Sequence, residues 1–251
     1  MNQRYFFLLS YKGTNYCGWQ RQPNSPSIQQ EIEDAISKLF SNQKIQVVGC
    51  GRTDTGVHAS EYFLHTDLPN KYRTEDLIFK LNGILSLDIA IHRIFPVENN
   101  YHARFDATSR TYKYFIHQEK SPFKNDESLY VHAHLDIEAM NDAAKYLIGK
   151  QDFTSFSKLH TDVKTNICEV FKAEWVIVDN NSFYFEISAN RFLRNMVRAI
   201  VGTLLDVGLG KLKPFEVQDV ILKKDRNVAG TSVPAHGLFL SKVVYPFIDK
   251  I

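Results

Sequence analysis

Three features that would place the chain in a special class of protein are scarce or missing. Cysteine is rare: Cys17, Cys50 and Cys168 are the only three in 251 residues, and their wide spacing fits neither a disulfide framework nor a zinc site. Apolar runs such as Ala199-Ile200-Val201 are far too short to span a bilayer. The first residues lack the cationic start, apolar middle and cleavage site of a secretion signal. We therefore expect a cytoplasmic protein with no membrane segment and no bound metal.

A strong charge of one sign is also missing. The net charge is only +2, which on its own says little about a polyanionic partner. The positions of the basic residues are more informative, because they recur in Gly-, Asn- and Ser-rich connections, several of them beside aromatic residues. Basic groups contact phosphates and rings stack on bases, so this mixture suits structured RNA. Ordinary solvated surface explains it as well.

The order of predicted elements repeats once along the chain. In the first half, periodicity and turn residues predict strands at 5–11, 45–48, 61–66 and 89–95. Helices are predicted after the capping residue Ser27 and from Thr74. In the second half, strands are predicted at 111–117, 171–178, 183–187 and 238–245. Its helices are predicted after Asp136, over 191–207 and, as a short extra helix, from Pro214.

Both halves therefore have the order β-α-β-β-α-β. This order predicts an α+β fold made of two duplicated ferredoxin-like halves, residues 1–105 and 106–251. Their antiparallel sheets could merge edge to edge, which would remove exposed strand edges and leave a central cleft between the halves.

The most informative segment surrounds Asp54. It lies in a glycine-rich connection after a predicted strand, where the backbone tolerates unusual angles and the close approach of a large ligand. Arg52 could hold the carboxylate ionised and the flanking threonines could donate hydrogen bonds, conditions that favour a nucleophile over a general acid. Taken alone, an Asp in such a loop more often makes an Asx-turn or an exposed ion pair.

The whole segment Gly51-Arg52-Thr53-Asp54-Thr55-Gly56-Val57-His58-Ala59 resembles the active-site motif of the bacterial tRNA pseudouridine synthase A family. The resemblance extends along nearly the whole chain. Further motifs of that family match, in the right order, at 18–22, 102–105, 110–114, 152–156, 196–198 and 237–240. Seven ordered motifs are far more specific than any one of them, and the chain is identified as a member of this family with the pseudouridine synthase fold.

The resemblance implies roles for individual residues. Asp54 matches the family's essential nucleophile, and Tyr112 matches the tyrosine that stacks on the target uracil. Arg52 and Arg198 match arginines near the carboxylate. Leu238 matches an apolar residue that packs on the other face of the uracil. Each residue also has a purely structural alternative. Tyr112 could be a residue at the edge of the core on a strand, and Leu238 could be an ordinary core residue. Arg198 could belong to a solvated basic stripe on a helix, together with the arginines at 191 and 194.

The resemblance also implies a reaction and its partners. The family isomerises uridine to pseudouridine in the tRNA anticodon stem-loop, at the positions usually numbered 38 to 40, without a cofactor and as a homodimer. Arg104 and Arg110, in the connection between the halves, are candidates to guide RNA phosphates. Trp19 could stack on RNA or anchor a loop, and we expect the anchor.

Several alternatives stay open from the sequence. A non-catalytic RNA-binding protein with the same fold, or a synthase for another RNA site, is compatible with much of the pattern. Lys12, Thr55, Glu61 and Arg194 differ from the residues usual in the family, which leaves the choice of uridine undecided. Attack by Asp54 on the sugar C1′ and attack on the uracil C6 are equally compatible with the motif.

Overall fold

The computed structural model describes residues 2–69, 72–158 and 165–248. Contacts divide the chain into two compact units, one of Met1–Thr108 with Leu240–Ile251 and one of Ser109–Phe239. The predicted halves, 1–105 and 106–251, differ from these units chiefly in the last segment, which belongs to the first unit.

The first unit has the predicted β-α-β-β-α-β order. Its elements are β1 (Asn2–Tyr11), α1 (Ile28–Leu39), β2 (Val48–Gly49), β3 (His58–Pro69), α2 (Thr74–Ile84) and β4 (Ile89–Val97). Strand β1 pairs antiparallel with β3 and β4, and β2 pairs antiparallel with β3. The resulting order β4-β1-β3-β2 is that of a ferredoxin-like sheet.

Local signals explain most of these elements. The Ser27 side chain accepts a hydrogen bond from the Gln30 N–H and so caps α1, as predicted. The strand predicted over 45–48 is shorter than expected, with only Val48–Gly49 paired. The reason is tertiary: the N–H of Val47 donates to the Glu33 carboxylate instead of to a strand.

The second unit repeats the pattern with additions. Its elements are β5 (Ser109–His117), β6 (Leu129–Tyr130), α3 (Ile137–Ala144), β7 (Gly149–Asp152), β8 (Ile167–Asp179), β9 (Ser182–Ala189), α4 (Met196–Gly208) and α5 (Glu216–Lys223). The last strand, β10 (Leu238–Val244), begins here and ends in the first unit. The pairing β5-β9-β8 is antiparallel and repeats β1-β3-β2 of the first unit. Strands β6 and β7 were not predicted.

Helix α4 begins later than predicted. The prediction over 191–207 is wrong for its first turn, because Asn195 has a left-handed backbone with φ of 68°, which asparagine tolerates better than most residues. The Asn195 amide donates to the Ser232 hydroxyl at 2.6 Å, a contact that fixes this turn. Arg191 and Arg194 therefore precede the helix, and the alternative of a basic helix stripe with Arg198 is wrong.

The α+β class is confirmed, because the strands pair mostly antiparallel and each unit contains helices. The merging of the sheets around a central cleft stays a prediction. Within the described ranges, no helix is long and apolar enough to cross a bilayer. The same part of the chain contains no cluster of three or more His, Cys, Asp or Glu side chains arranged to hold a metal ion.

Candidate active site

Asp54 lies in the connection between β2 and β3, with its side chain partly exposed. The chain turns tightly here, because the Val57 N–H donates to the Asp54 carbonyl at 3.1 Å. Gly56, inside the turn, has φ of 76°, a value that glycine adopts without strain. The turn keeps the carboxylate at the surface of the unit instead of in its core.

A second loop fixes the Asp54 turn from one side. The Trp19 N–H donates to the Thr53 carbonyl at 3.2 Å, and the Gly56 N–H donates to the Tyr16 carbonyl at 3.3 Å. Gly18 makes this approach feasible: its φ is 88°, and a Cβ there would lie 2.4 Å from the Thr53 carbonyl oxygen. Residues 16–19 therefore support the backbone on both sides of Asp54.

Two tyrosines fix the same turn from the sheet. The Tyr11 hydroxyl on β1 lies 2.9 Å from the Thr53 hydroxyl, in a buried contact. The Tyr62 hydroxyl on β3 donates to the Gly51 carbonyl. The Tyr62 ring stacks on Trp19 with centroids 4.2 Å apart. Trp19 is only 3% exposed, which confirms that it anchors a loop.

The segment that carries Arg104 is anchored in the first unit. The Ala103 N–H donates to Nδ1 of His65 at 3.0 Å, and the Tyr245 hydroxyl donates to the Ala103 carbonyl. Burial, with the positive charges of Arg4 and His102 nearby, lowers the pKa of His65 to about 4. A neutral imidazole at His65 therefore accepts the hydrogen bond that holds this segment. The Arg104 side chain itself is exposed.

Tyr112 and Arg110 lie on β5 in the second unit. Tyr112 is half-buried and opposite Ile187 on β9, and its ring meets Phe192 edge-on with centroids 5.1 Å apart. The Arg110 guanidinium donates to the Asn190 carbonyl at 3.0 Å. Two residues beyond Tyr112 on the same strand, Tyr114 is buried, and burial raises the pKa of its hydroxyl.

Arg198 lies in the first turn of α4 and is half-buried. Its Nε donates to the Val233 carbonyl at 2.7 Å, and the Val233 N–H donates back to the Arg198 carbonyl. Gly202, one turn further along, allows this close approach, since a Cβ there would lie 1.8 Å from the Thr231 carbonyl oxygen. Leu238 is only 6% exposed, so most of its side chain is covered within the protein.

Comparisons with known proteins agree with the sequence motifs. The family model described as tRNA pseudouridine synthase matches residues 8–106 and 143–246. The chain belongs to this family. The tRNA pseudouridine synthase A of Porphyromonas gingivalis is 52% identical over 246 residues, which cover 97% of each chain. The Bacillus subtilis protein of the same name is 39% identical over 240 residues, covering 94% of this chain and 97% of the relative.

One solved structure with a weaker likeness is a chain in the crystal structure of the archaeal box H/ACA sRNP Nop10-Cbf5 complex. It is 12% identical with a TM-score of 0.36, over 80% of this chain and 44% of that chain. Membership of the tRNA pseudouridine synthase family rests on the family model and the sequence relatives, and it confirms the resemblance found from the motifs.

The predicted site residues of this tRNA pseudouridine synthase fall into two groups. Asp54, Arg52 and Arg104 belong to the first unit, where Arg52 is exposed two residues before Asp54. The second unit holds the remaining predicted residues, which are Tyr112, Arg110, Arg198 and Leu238. Their action together on one uridine stays a prediction.

Residues that position Asp54 were missed from the sequence. Tyr11 and Tyr62 read as ordinary strand residues, and nothing in the pattern of β1 or β3 marks their hydroxyls. His58 stands inside the active-site motif, where it is buried and its Nδ1 accepts the Gly13 N–H at 3.1 Å. Glu61, a departure from the usual family residue, accepts the Val243 N–H at 2.7 Å, so its carboxylate has a structural partner.

Proposed function

We propose that this chain isomerises uridine to pseudouridine in tRNA, with Asp54 as the nucleophile. The observation that carries the proposal is a partly exposed carboxylate at a turn whose backbone is held from both sides. Relatives that cover nearly the whole chain are named tRNA pseudouridine synthase A. A partly exposed carboxylate on a fixed backbone suits a covalent step on a bulky substrate.

The chemistry needs no external reagent. The N1–C1′ bond of the uridine breaks, the uracil turns, and C5 joins C1′, with no net redox change. Asp54 attacks C1′ or C6, and the bond that it forms breaks again as or after C5 joins C1′. The proton on C5 leaves to a general base, and N1, which has lost its bond to the sugar, takes up a proton. Since neither carbon is reachable inside a base stack, the target nucleotide must first be turned out of the RNA.

The other predicted residues have supporting roles in this proposal. Tyr112 stacks on the uracil and Leu238 packs on its other face. Of Arg52 and Arg198, one pairs with the Asp54 carboxylate and the other fills the space that the displaced base leaves. Their support is the match to the family motifs, together with the half-buried position of Tyr112 and the tethering of Arg198 to the Val233 carbonyl.

The substrate site and the assembly are part of the same proposal. We assign the target to uridines 38 to 40 of the anticodon stem-loop, with Arg104 and Arg110 contacting phosphates, in a cytoplasmic homodimer. Mapping of the modified positions in tRNA tests the first assignment. A mass measurement in solution, with and without tRNA, tests the second, and a monomer under both conditions would contradict it.

Label release from tRNA tests the catalytic proposal directly. Unmodified tRNA carrying tritium at uridine C5 is incubated with wild type, Asp54→Asn and Asp76→Asn. Asp76 is a matched control, because it is an exposed carboxylate on α2 of the same unit. We expect Asp54→Asn to lower the rate of release by at least about a thousandfold, and Asp76→Asn to match wild type.

Two outcomes would count against the proposal. Release by Asp54→Asn at the rate of wild type would remove Asp54 from the chemistry. If wild type binds tRNA tightly but releases no label from any tRNA, the protein is an RNA-binding protein without this activity.

A further inference from the structure

Phe105 is a large apolar side chain in an unusual setting. It is 73% exposed, although the backbone beside it is firmly held. Ala103, two residues earlier, is fully buried, and both its N–H and its carbonyl are bonded to side chains of the first unit. Exposure of Phe105 is therefore not a consequence of a loosely attached segment, and the ring is presented to solvent at a fixed place.

The orientation of the Phe105 ring is also set within the protein. It stacks on His102 with centroids 4.3 Å apart and planes 28° apart. The Nδ1 of His102 accepts the N–H groups of Arg104 and Phe105 at 3.1 and 3.3 Å. The His102 ring in turn meets buried His65 edge-on at 4.6 Å. A ligand that stacks on this ring would find it already ordered, which reduces the entropic cost of binding.

A cation accompanies the ring. The Arg104 guanidinium lies 5.8 Å from the centre of the Phe105 ring, and the Arg104 side chain is exposed. An aromatic face beside an arginine is the combination that single-stranded nucleic acids select, because every base offers a face for stacking and every linkage carries a phosphate. A protein partner would more often call for a wider apolar patch.

We propose that Phe105 is a stacking site for an unpaired base of the tRNA substrate, with Arg104 at the adjoining phosphate. This inference rests on the proposed function, since it takes tRNA as the ligand. It adds a contact with a base at the 102–105 segment, where the proposed function assigns only a phosphate contact by Arg104. A base held there would fix the position of the tRNA relative to the first unit, which also carries Asp54.

Equilibrium binding separates this role from catalysis. The affinity for unmodified tRNA is measured in the Asp54→Asn background, so that turnover does not change the ligand. Phe105→Ala is compared with Phe105→Tyr, which keeps an aromatic face, and with Phe79→Ala. Phe79 is a matched control, because it is 82% exposed on α2 of the same unit.

Loss of one stacked base should raise the Kd for tRNA by about 5- to 150-fold in Phe105→Ala. Phe105→Tyr should bind within about twofold of its parent, as should Phe79→Ala. Because the Phe105 ring is mostly exposed, the unfolding temperature of Phe105→Ala should stay near that of its parent. In the active enzyme, with Asp54 intact, Phe105→Ala should raise KM for tRNA.

A fluorescent reporter identifies the occupant. In Phe105→Trp the new indole is exposed, whereas Trp19 and Trp175 are buried, so changes on tRNA addition report position 105. Stacking on a base should quench the fluorescence of this indole. A neutral protein partner should change that fluorescence little. An unchanged Kd for Phe105→Ala together with no quenching would overturn the inference. A shift of Phe105→Ala to monomers, with unchanged affinity per subunit, would assign the ring to a subunit contact and also overturn it.

Failure of this inference and failure of the proposed function give different results. If wild type releases label and Phe105→Ala equals it in Kd and KM, only the stacking site is wrong. If wild type releases no label while Phe105→Ala still weakens tRNA binding, the stacking site stands and the catalytic proposal fails.

Discussion

The hydroxyl of Tyr11, in the buried strand β1, lies 2.9 Å from the hydroxyl of Thr53, the residue directly before Asp54. The carbonyl of Thr53 is held as well, since it accepts the Trp19 N–H. Side chain and main chain of Thr53 are thus both fixed by groups from the core. The direction in which the chain leaves Thr53 toward Asp54 is therefore set by the sheet and not by the loop alone.

Removal of the Tyr11 hydroxyl should affect catalysis more than binding. We expect Tyr11→Phe to lower kcat by about 3- to 30-fold with little change in KM, because the carboxylate loses its fixed position while the tRNA contacts remain. The free energy of unfolding should fall by about 1 kcal/mol. Label release at several tRNA concentrations, with urea unfolding, measures both.

Tyr5→Phe is the control for that substitution. Tyr5 lies on the same strand and is buried, and no residue in the described ranges forms a hydrogen bond with its hydroxyl. Tyr5→Phe should leave kcat unchanged. Equal losses of kcat in both variants, or a loss in Tyr11→Phe that is confined to KM, would show that Tyr11 does not position Asp54.

Gly18 and Gly83 form a contrasting pair of glycines. At Gly18 an added methyl group would lie 2.4 Å from the Thr53 carbonyl oxygen, at a φ of 88°. We expect Gly18→Ala to lower the free energy of unfolding by about 2 kcal/mol or more and to lower kcat. At Gly83, near the end of α2, a methyl group meets open space, so Gly83→Ala should raise stability by up to about 1 kcal/mol. Chemical unfolding and label release check both; a tolerated Gly18→Ala would show that the loop can shift.

The fold was predictable where the signals are local. The cap at Ser27 and the cap at Asp136 each accept an N–H three residues ahead, and such short-range patterns are written in neighbouring residues. Two of the errors have long-range causes. The Glu33 carboxylate accepts the Val47 N–H, which therefore does not pair within the predicted strand. The contact of Asn195 with Ser232 holds a left-handed turn where a helix was predicted.

The candidate site was predictable only in part, for a similar reason. Asp54 stands out because its neighbours form a motif, and its place between β2 and β3 follows from the alternation of strands. The hydroxyl of Tyr11 forms a hydrogen bond with the hydroxyl of Thr53, and the hydroxyl of Tyr62 donates to the carbonyl of Gly51. Their positions in apolar strands predict core packing, and only the three-dimensional structure shows which polar group each one meets.

His65 should make stability depend on pH in a defined window. Its imidazole is buried, and its pKa is lowered from the ordinary 6.5 to about 4 by that burial and by the charges of Arg4 and His102. Because the folded pKa lies below the unfolded one, the unfolded chain takes up a proton between about pH 6.5 and 4 that the folded chain does not. The contribution of His65 to the free energy of unfolding is thus complete above pH 6.5 and is lost as the pH falls toward 4. At pH 5 the loss relative to pH 7.5 should be about 2 kcal/mol.

His65→Asn removes the titration while keeping an acceptor for the Ala103 N–H. The variant should be less stable at pH 7.5, since it loses the stacking of the imidazole on Phe6, but its stability should fall less than that of wild type between pH 7.5 and 5. Urea unfolding at the two pH values measures the difference, and groups that titrate in both proteins cancel. Phe79→Ala, at an exposed side chain on α2 of the same unit, should keep the pH dependence of wild type. If His65→Asn keeps the pH dependence of wild type, His65 takes up its proton as readily in the folded protein as in the unfolded chain. The anchoring of the 102–105 segment would then not require a neutral ring.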